Sequence, residues 1–160
     1  MYVEKPRIGV VGVGRMGANI ARHLKDIGYS VAVVHDVNLE AKTAVASELG
    51  AHAASTLTEV TDRADVVITV VSDDAAMDAI YAEEGDSLLG GPRGSSSSNT
   101  ATVTPAVHVE VERRVEARGG QSVEDCMASS VPEARTVHST LWWEGRRMPS
   151  GGRNRFLIRT

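Results

Sequence analysis

The run Arg7–Val11, apolar and β-branched at nearly every position, passes directly into Gly12, Val13, Gly14, Arg15, Met16 and Gly17, and that hexapeptide opens a segment with helical spacing. Few local patterns constrain a fold so strongly. A strand that reads as a continuous apolar run is expected to be buried on both faces of a parallel sheet. A G-x-G-x-x-G placed between such a strand and a helix is the setting in which the motif has a mechanism. Gly12 allows the tight turn, Gly14 lets the backbone come close to a pyrophosphate, and Gly17 lets the helix lie against the strand. The helix N-terminus then offers unpaired N–H groups and the positive end of its dipole to an anion.

The alternation continues. Met16, Ile20, Ala21, Leu24 and Ile27 fall at helical spacing and Gly28 stops the pattern. Residues 30–36 repeat the strand signature, Asn38 is placed to cap a helix, and Ala41, Val45 and Leu49 form its apolar face before Gly50. A short segment at 51–54, a helical stretch at 56–64, a strand at 64–72 and a helical stretch at 73–85 follow. This order defines an α/β protein with a Rossmann-type, doubly wound, mainly parallel sheet. Residues 91–98 are polar and low in complexity where another buried strand is due. The pattern resumes with Thr104 as a cap, Pro105 in the first turn, Val107, Val111 and Val115 along one face, and Glu110 and Arg114 as an i,i+4 pair. A strand over 121–127 completes it.

Domain organisation follows from these shifts. Residues 1–135 read as one dinucleotide-binding domain carrying the aberrant stretch 91–98, and residues 136–160 as an atypical basic tail with five arginines, expected to be disordered. Both aberrant segments fit a displaced reading frame. Serine codons of the TCN type become NTC one base out of phase, which encodes only Phe, Leu, Ile or Val, so Ser95, Ser96, Ser97 and Ser98 would hide the missing apolar strand. The TGG codons of Trp142 and Trp143 would similarly hide a Gly-Gly pair.

A length of 160 residues suits one ordinary domain, not a dinucleotide domain plus a catalytic domain of similar size. The net charge of -4, with no dense basic cluster before the tail, argues against a nucleic-acid partner. A single cysteine, Cys126, excludes an internal disulfide, and no spaced Cys/His set offers a metal site. No apolar run is long enough for a membrane span or a signal sequence, so a cytoplasmic location is expected. Asp36 ends the second strand where an acid can accept hydrogen bonds from both hydroxyls of an adenine ribose and would repel a 2'-phosphate. Val37, Asn38 and Leu39 follow it with no basic group, which favours NAD over NADP.

Residues 8–36, with the Gly-x-Met-Gly form in their turn, closely resemble the opening of the β-hydroxyacid dehydrogenases, the family of 3-hydroxyisobutyrate dehydrogenase, tartronate semialdehyde reductase and, more distantly, 6-phosphogluconate dehydrogenase. The resemblance implies a dinucleotide site made by Gly12, Val13, Gly14, Arg15, Met16, Gly17 and Asp36. It also implies that Val71 and Ser72, at the end of the fourth strand, lie near the nicotinamide half. Residues 99–105 are similar to the family's D-x-S-T-x-x-P, which puts Thr102 beside the cofactor and Pro105 on its proline, while Asn99 and Ala101 depart from it. Residues 123–131 resemble the family's substrate loop, with Asp125 on its acid and Ser129 on the serine that binds the substrate carboxylate. Ser130 and Val131 replace its two glycines.

The family's acid/base is a lysine in a G-x-x-G-x-G-x-x-x-K-x-x-N motif that opens an all-α second domain. These 160 residues hold no such segment, and Lys5, Lys25 and Lys42 all fall in the first part of the sequence. No catalytic residue is assigned: His108 reads as a surface histidine, and His138 lies in the tail. The resemblance therefore implies a truncated cofactor half that binds a dinucleotide and is inactive alone, taking a small hydroxyacid only when a second domain is supplied. A stand-alone dinucleotide-sensing module and a non-functional gene product are the alternatives.

Overall fold

The computed structural model describes residues 5–91, 96–99, 103–124, 140–144 and 155–159. Strand β1 (Arg7–Val11) is buried from Ile8 onward. Helix α1 (Arg15–Asp26) buries Gly17, Ala18, Ala21 and Leu24, and Gly28 turns the chain at φ 84°. Strand β2 (Ser30–His35) leads to α2 (Leu39–Leu49), whose start is fixed by the Asn38 side chain accepting the Ala41 N–H and whose end is fixed by Gly50 at φ 67°. The order continues through β3 (His52–Ala53), α3 (Leu57–Arg63), β4 (Val66–Thr69), α4 (Asp74–Ile80) and a 3-10 turn at Leu88–Gly90. It ends with β5 (Ser96–Asn99), α5 (Pro105–Ala117), β6 (Gln121–Glu124), β7 (Thr140–Glu144) and β8 (Arg155–Arg159).

Six strands form one sheet in the order β3-β2-β1-β4-β5-β6, and every pairing in it is parallel. Two apolar layers hold it. Ile8, Val10, Val34 and Ile68 meet Ala21, Leu24 and Val45 from α1 and α2 on one face. Val11, Val33 and Val67 meet Val60, Met77, Val111 and Val115 from α3, α4 and α5 on the other. The chain thus winds away from β1 in both directions, which opens a crevice at the carboxyl ends of β1 and β4.

Four expectations change against this fold. The regular part of the fourth strand is shorter than 64–72, because Ala64 already caps α3, although Asp65 and Val70 extend its backbone bonding to β1 through Arg7 O at 2.9 Å and Val11 O at 2.8 Å. The polar stretch near 91–98 does supply the missing strand: β5 lies between β4 and β6, with Ser96 opposite Val66 and Gln121. Ladder bonds are made by main-chain groups, and two flanking strands offer them whatever the side chains. In the tail, β7 and β8 pair antiparallel as a separate two-stranded sheet, Trp142 opposite Leu157 and Trp143 opposite Phe156. Finally, His108 is buried, since it shares the inward face of α5 with Val111 and Val115 at helical spacing.

Candidate functional site

The turn between β1 and α1 is built by steric necessity at two glycines. Gly12 sits at φ 88°, and a Cβ there would strike the carbonyl oxygen of Val70. A Cβ on Gly17 would strike the carbonyl oxygen of Gly12. Only glycine at these two positions lets the helix, the turn and the end of β4 come this close together. Gly14 is different: a Cβ there would meet nothing within 4 Å, so its missing side chain leaves open space on the crevice side.

Gly14 is also the N-cap of α1 and brings no side chain to its free N–H groups. The first turn holds no acid, while His23 and Lys25 stand in the last turn where the dipole is negative. Val13 is buried, Met16 half-buried and Arg15 exposed. Arg15, the first residue of α1, is exposed, so a cation stands at the positive helix end. This arrangement suits an added anion.

Asp36 follows β2 and is tied to the same turn. One of its carboxylate oxygens accepts the Val13 N–H at 2.7 Å and the other accepts the Asn38 N–H at 2.8 Å. A carboxylate has about four lone-pair sites, so two remain for hydroxyl donors. Beside it Val37 is 99 % exposed and Leu39 70 % exposed, and neither carries charge. The rim near Asp36 is therefore apolar and acidic.

Across the crevice, the segment after β4 carries Val71, half-buried, and Ser72, exposed. The Ser72 hydroxyl donates to Asp73 at 3.2 Å, and Asp73 caps α4 by accepting the Ala76 N–H at 2.8 Å. Asp74 reaches the start of α5: it accepts the Thr104 N–H at 2.8 Å and the Thr104 hydroxyl at 2.9 Å. Thr104 is thus the N-cap residue by position, yet its side chain makes no cap bond to α5. The structure brings the 12–17 turn, Asp36, Val71 and Ser72 to one edge of the sheet. Thr102, Ser129, Asp125 and His138 lie outside the described residues.

Asp73 and Asp74 were missed by the sequence reading, although an Asp pair directly before an apolar-periodic stretch is a legible cap signal. The three lysines each donate to main-chain carbonyls. Lys5 donates to Ile27 O at 3.0 Å and lies over the Tyr29 ring, Lys25 donates to Leu49 O at 2.9 Å, and the buried Lys42 donates to Ala54 O at 2.8 Å. They clasp helix ends and strand ends. Among the described residues no group of three or more His, Cys, Asp or Glu is arranged to hold a metal ion, and no described helix is long and apolar enough to cross a membrane.

A parallel sheet with this strand order, wound in both directions around a glycine turn and an acid at the end of β2, defines a Rossmann-type dinucleotide-binding domain. The model of the NAD binding domain of 6-phosphogluconate dehydrogenase matches residues 7–141. The chain belongs to that family, the β-hydroxyacid dehydrogenases, and corresponds to their NAD-binding domain. It is 29% identical over 141 residues to mitochondrial 3-hydroxyisobutyrate dehydrogenase of Mus musculus, covering 86% of this chain and 41% of that protein. The chain thus spans about two-fifths of the length of that curated relative. Among solved structures, Mycobacterium tuberculosis 3-hydroxyisobutyrate dehydrogenase with L-serine is similar at a TM-score of 0.73 and 22% identity, over 83% of this chain and 44% of that one. An imine reductase variant from Myxococcus stipitatus in complex with NAD+ is similar at a TM-score of 0.72 and 22% identity, over 81% of this chain and 43% of that one. Both likenesses are of fold.

Proposed function

We propose that this chain is the cofactor half of an NAD-dependent 3-hydroxyacid dehydrogenase or reductase, binding NAD in preference to NADP and unable to turn over a hydroxyacid by itself. The observation that carries the reading is the union of Gly14 and Asp36 at one crevice edge: open space and uncapped N–H groups for a pyrophosphate, and a carboxylate with spare lone pairs for a ribose. The dinucleotide would lie with its pyrophosphate on Gly12, Val13, Gly14, Arg15, Met16 and Gly17, its adenine ribose on Asp36, and its nicotinamide half toward Val71, Ser72 and Thr102. When bound, it supplies the hydride acceptor or donor; the residues here bind and orient it. Ser129 would meet the substrate carboxylate only when a second domain closes the site.

Titration of the purified chain with NAD and NADP tests the preference. NAD binds more tightly, and Asp36→Ala narrows the gap by removing the charge that opposes a 2'-phosphate. Equal or reversed affinities in the parent chain, or an Asp36→Ala variant in which NADP gains nothing relative to NAD, would remove the ribose role from Asp36.

A further inference from the structure

We propose that Asp74 is a positioning residue for the nicotinamide half of the crevice, acting through Thr104. The proposal rests on the dinucleotide reading above. Asp74 spends both carboxylate oxygens on one residue of another element, accepting the main-chain N–H and the hydroxyl of Thr104. A residue held at two points by one carboxylate has little freedom to rotate or slide. Because Thr104 is the N-cap position of α5, this contact fixes where α5 begins relative to the corner formed by Ser72, Asp73 and the start of α4. The helix gives up its own side-chain cap to make it, which a purely local optimum would not do.

Among the described residues, the other polar side-chain contacts between these two parts of the chain lie further along the helices. Arg114 reaches Asp78 and the carbonyl of Tyr81, and Arg113 reaches Glu83. They hold the far ends of α4 and α5, while at the near end Asp74 and Thr104 supply the side-chain hydrogen bonds beside the apolar packing of Val71, Val103 and Val107. Asp73 and Asp74 together also place negative charge at the α4 start, in contrast to the acid-free first turn of α1. A pyrophosphate is thereby confined to α1, and α4 is left to shape the neighbouring nicotinamide side.

The test compares NADH with ADP-ribose, which keeps both phosphates and the adenine ribose but lacks the nicotinamide ring. In Asp74→Ala, the affinity for NADH falls about fivefold relative to that for ADP-ribose, the scale of a lost charge-assisted contact acting indirectly. The fluorescence of bound NADH also shifts toward that of the free dinucleotide. Asp74→Asn, which keeps a carbonyl oxygen for the Thr104 N–H, recovers most of the ratio, and Thr104→Val loses part of it. These two milder variants carry the test where Asp74→Ala does not fold. Equal loss of both ligands, or an unchanged ratio and emission in all folded variants, overturns the positioning role. Failure of the parent chain to bind ADP-ribose at all would instead overturn the dinucleotide reading.

Discussion

Gly14 and Gly17 stand three residues apart in one motif and answer to opposite demands. Gly17 is required by the fold, since any side chain there would enter the carbonyl oxygen of Gly12, whereas nothing in the fold requires Gly14 to lack one. Gly17→Ala is therefore expected to destabilise the domain by about 2 kcal/mol, the scale of overpacking, read as a lowered midpoint in urea. Gly14→Ser should behave in the reverse way. Its hydroxyl can accept an N–H of the first helical turn, so thermal stability is kept or raised, while dinucleotide affinity falls at least about tenfold because the same N–H and the same space are taken. A Gly14→Ser variant that unfolds, or that binds as the parent does, would contradict this separation.

Between elements, the least favourable residue choice is in β5, where Ser96, Ser97 and Ser98 stand opposite Val66, Val67 and Ile68. A strand flanked on both sides in a parallel sheet covered by helices on both faces is normally apolar. Ser97→Val is expected to stabilise the domain by about 1 kcal/mol, the span of strand preferences, measured by denaturant titration. Resequencing the gene tests the displaced reading frame directly: the idea fails if the alternative frames encode neither an apolar run over 95–98 nor a glycine-rich lysine motif further downstream. Ion pairs within α5 and between Arg7 and Asp65 add a pH dependence. Hydrogen bonds from Arg113 and Arg114 hold the Glu110 carboxyl down to about 2, and the Arg7 guanidinium holds Asp65 below its ordinary range. A carboxyl lowered on folding contributes stability above its unfolded pKa of about 4 and loses it as pH falls through the folded value. Unfolding midpoints should thus stay level from neutral pH to about 5 and drop between about 4 and 2. Glu110→Gln should flatten that slope and lower the plateau only slightly, since the pair is exposed to solvent screening.

At the scale of the 160-residue chain, the cofactor-half proposal predicts binding without turnover. A general acid/base contributes about 10² to 10⁴-fold, and each of the lysines present donates to a main-chain carbonyl. The chain should give no substrate-dependent NADH from 3-hydroxyisobutyrate or glycerate above background, and steady production abolished by a Gly14→Trp variant would refute the cofactor-half reading. Much of the fold was legible because buried parallel strands and capped helices leave strong local patterns: Asn38, Gly28 and Gly50 ended or began elements where their chemistry demands. The Glu110–Arg114 pair formed as its spacing implies. What was hidden depended on contacts distant in sequence. The burial of His108 needed knowledge of which face α5 turns inward, β5 needed its neighbours, and the Asp74–Thr104 contact joins residues 30 positions apart. The bond from Asp36 to the Val13 N–H was hidden for the same reason, and it bears on how such a chain can evolve. A single substitution that exchanged the acid for a residue without an acceptor oxygen would also release the glycine turn from its carboxylate strut. On the proposed NAD reading, a change of Asp36 to a basic residue would alter the charge met by the cofactor and the anchoring of Val13 at once.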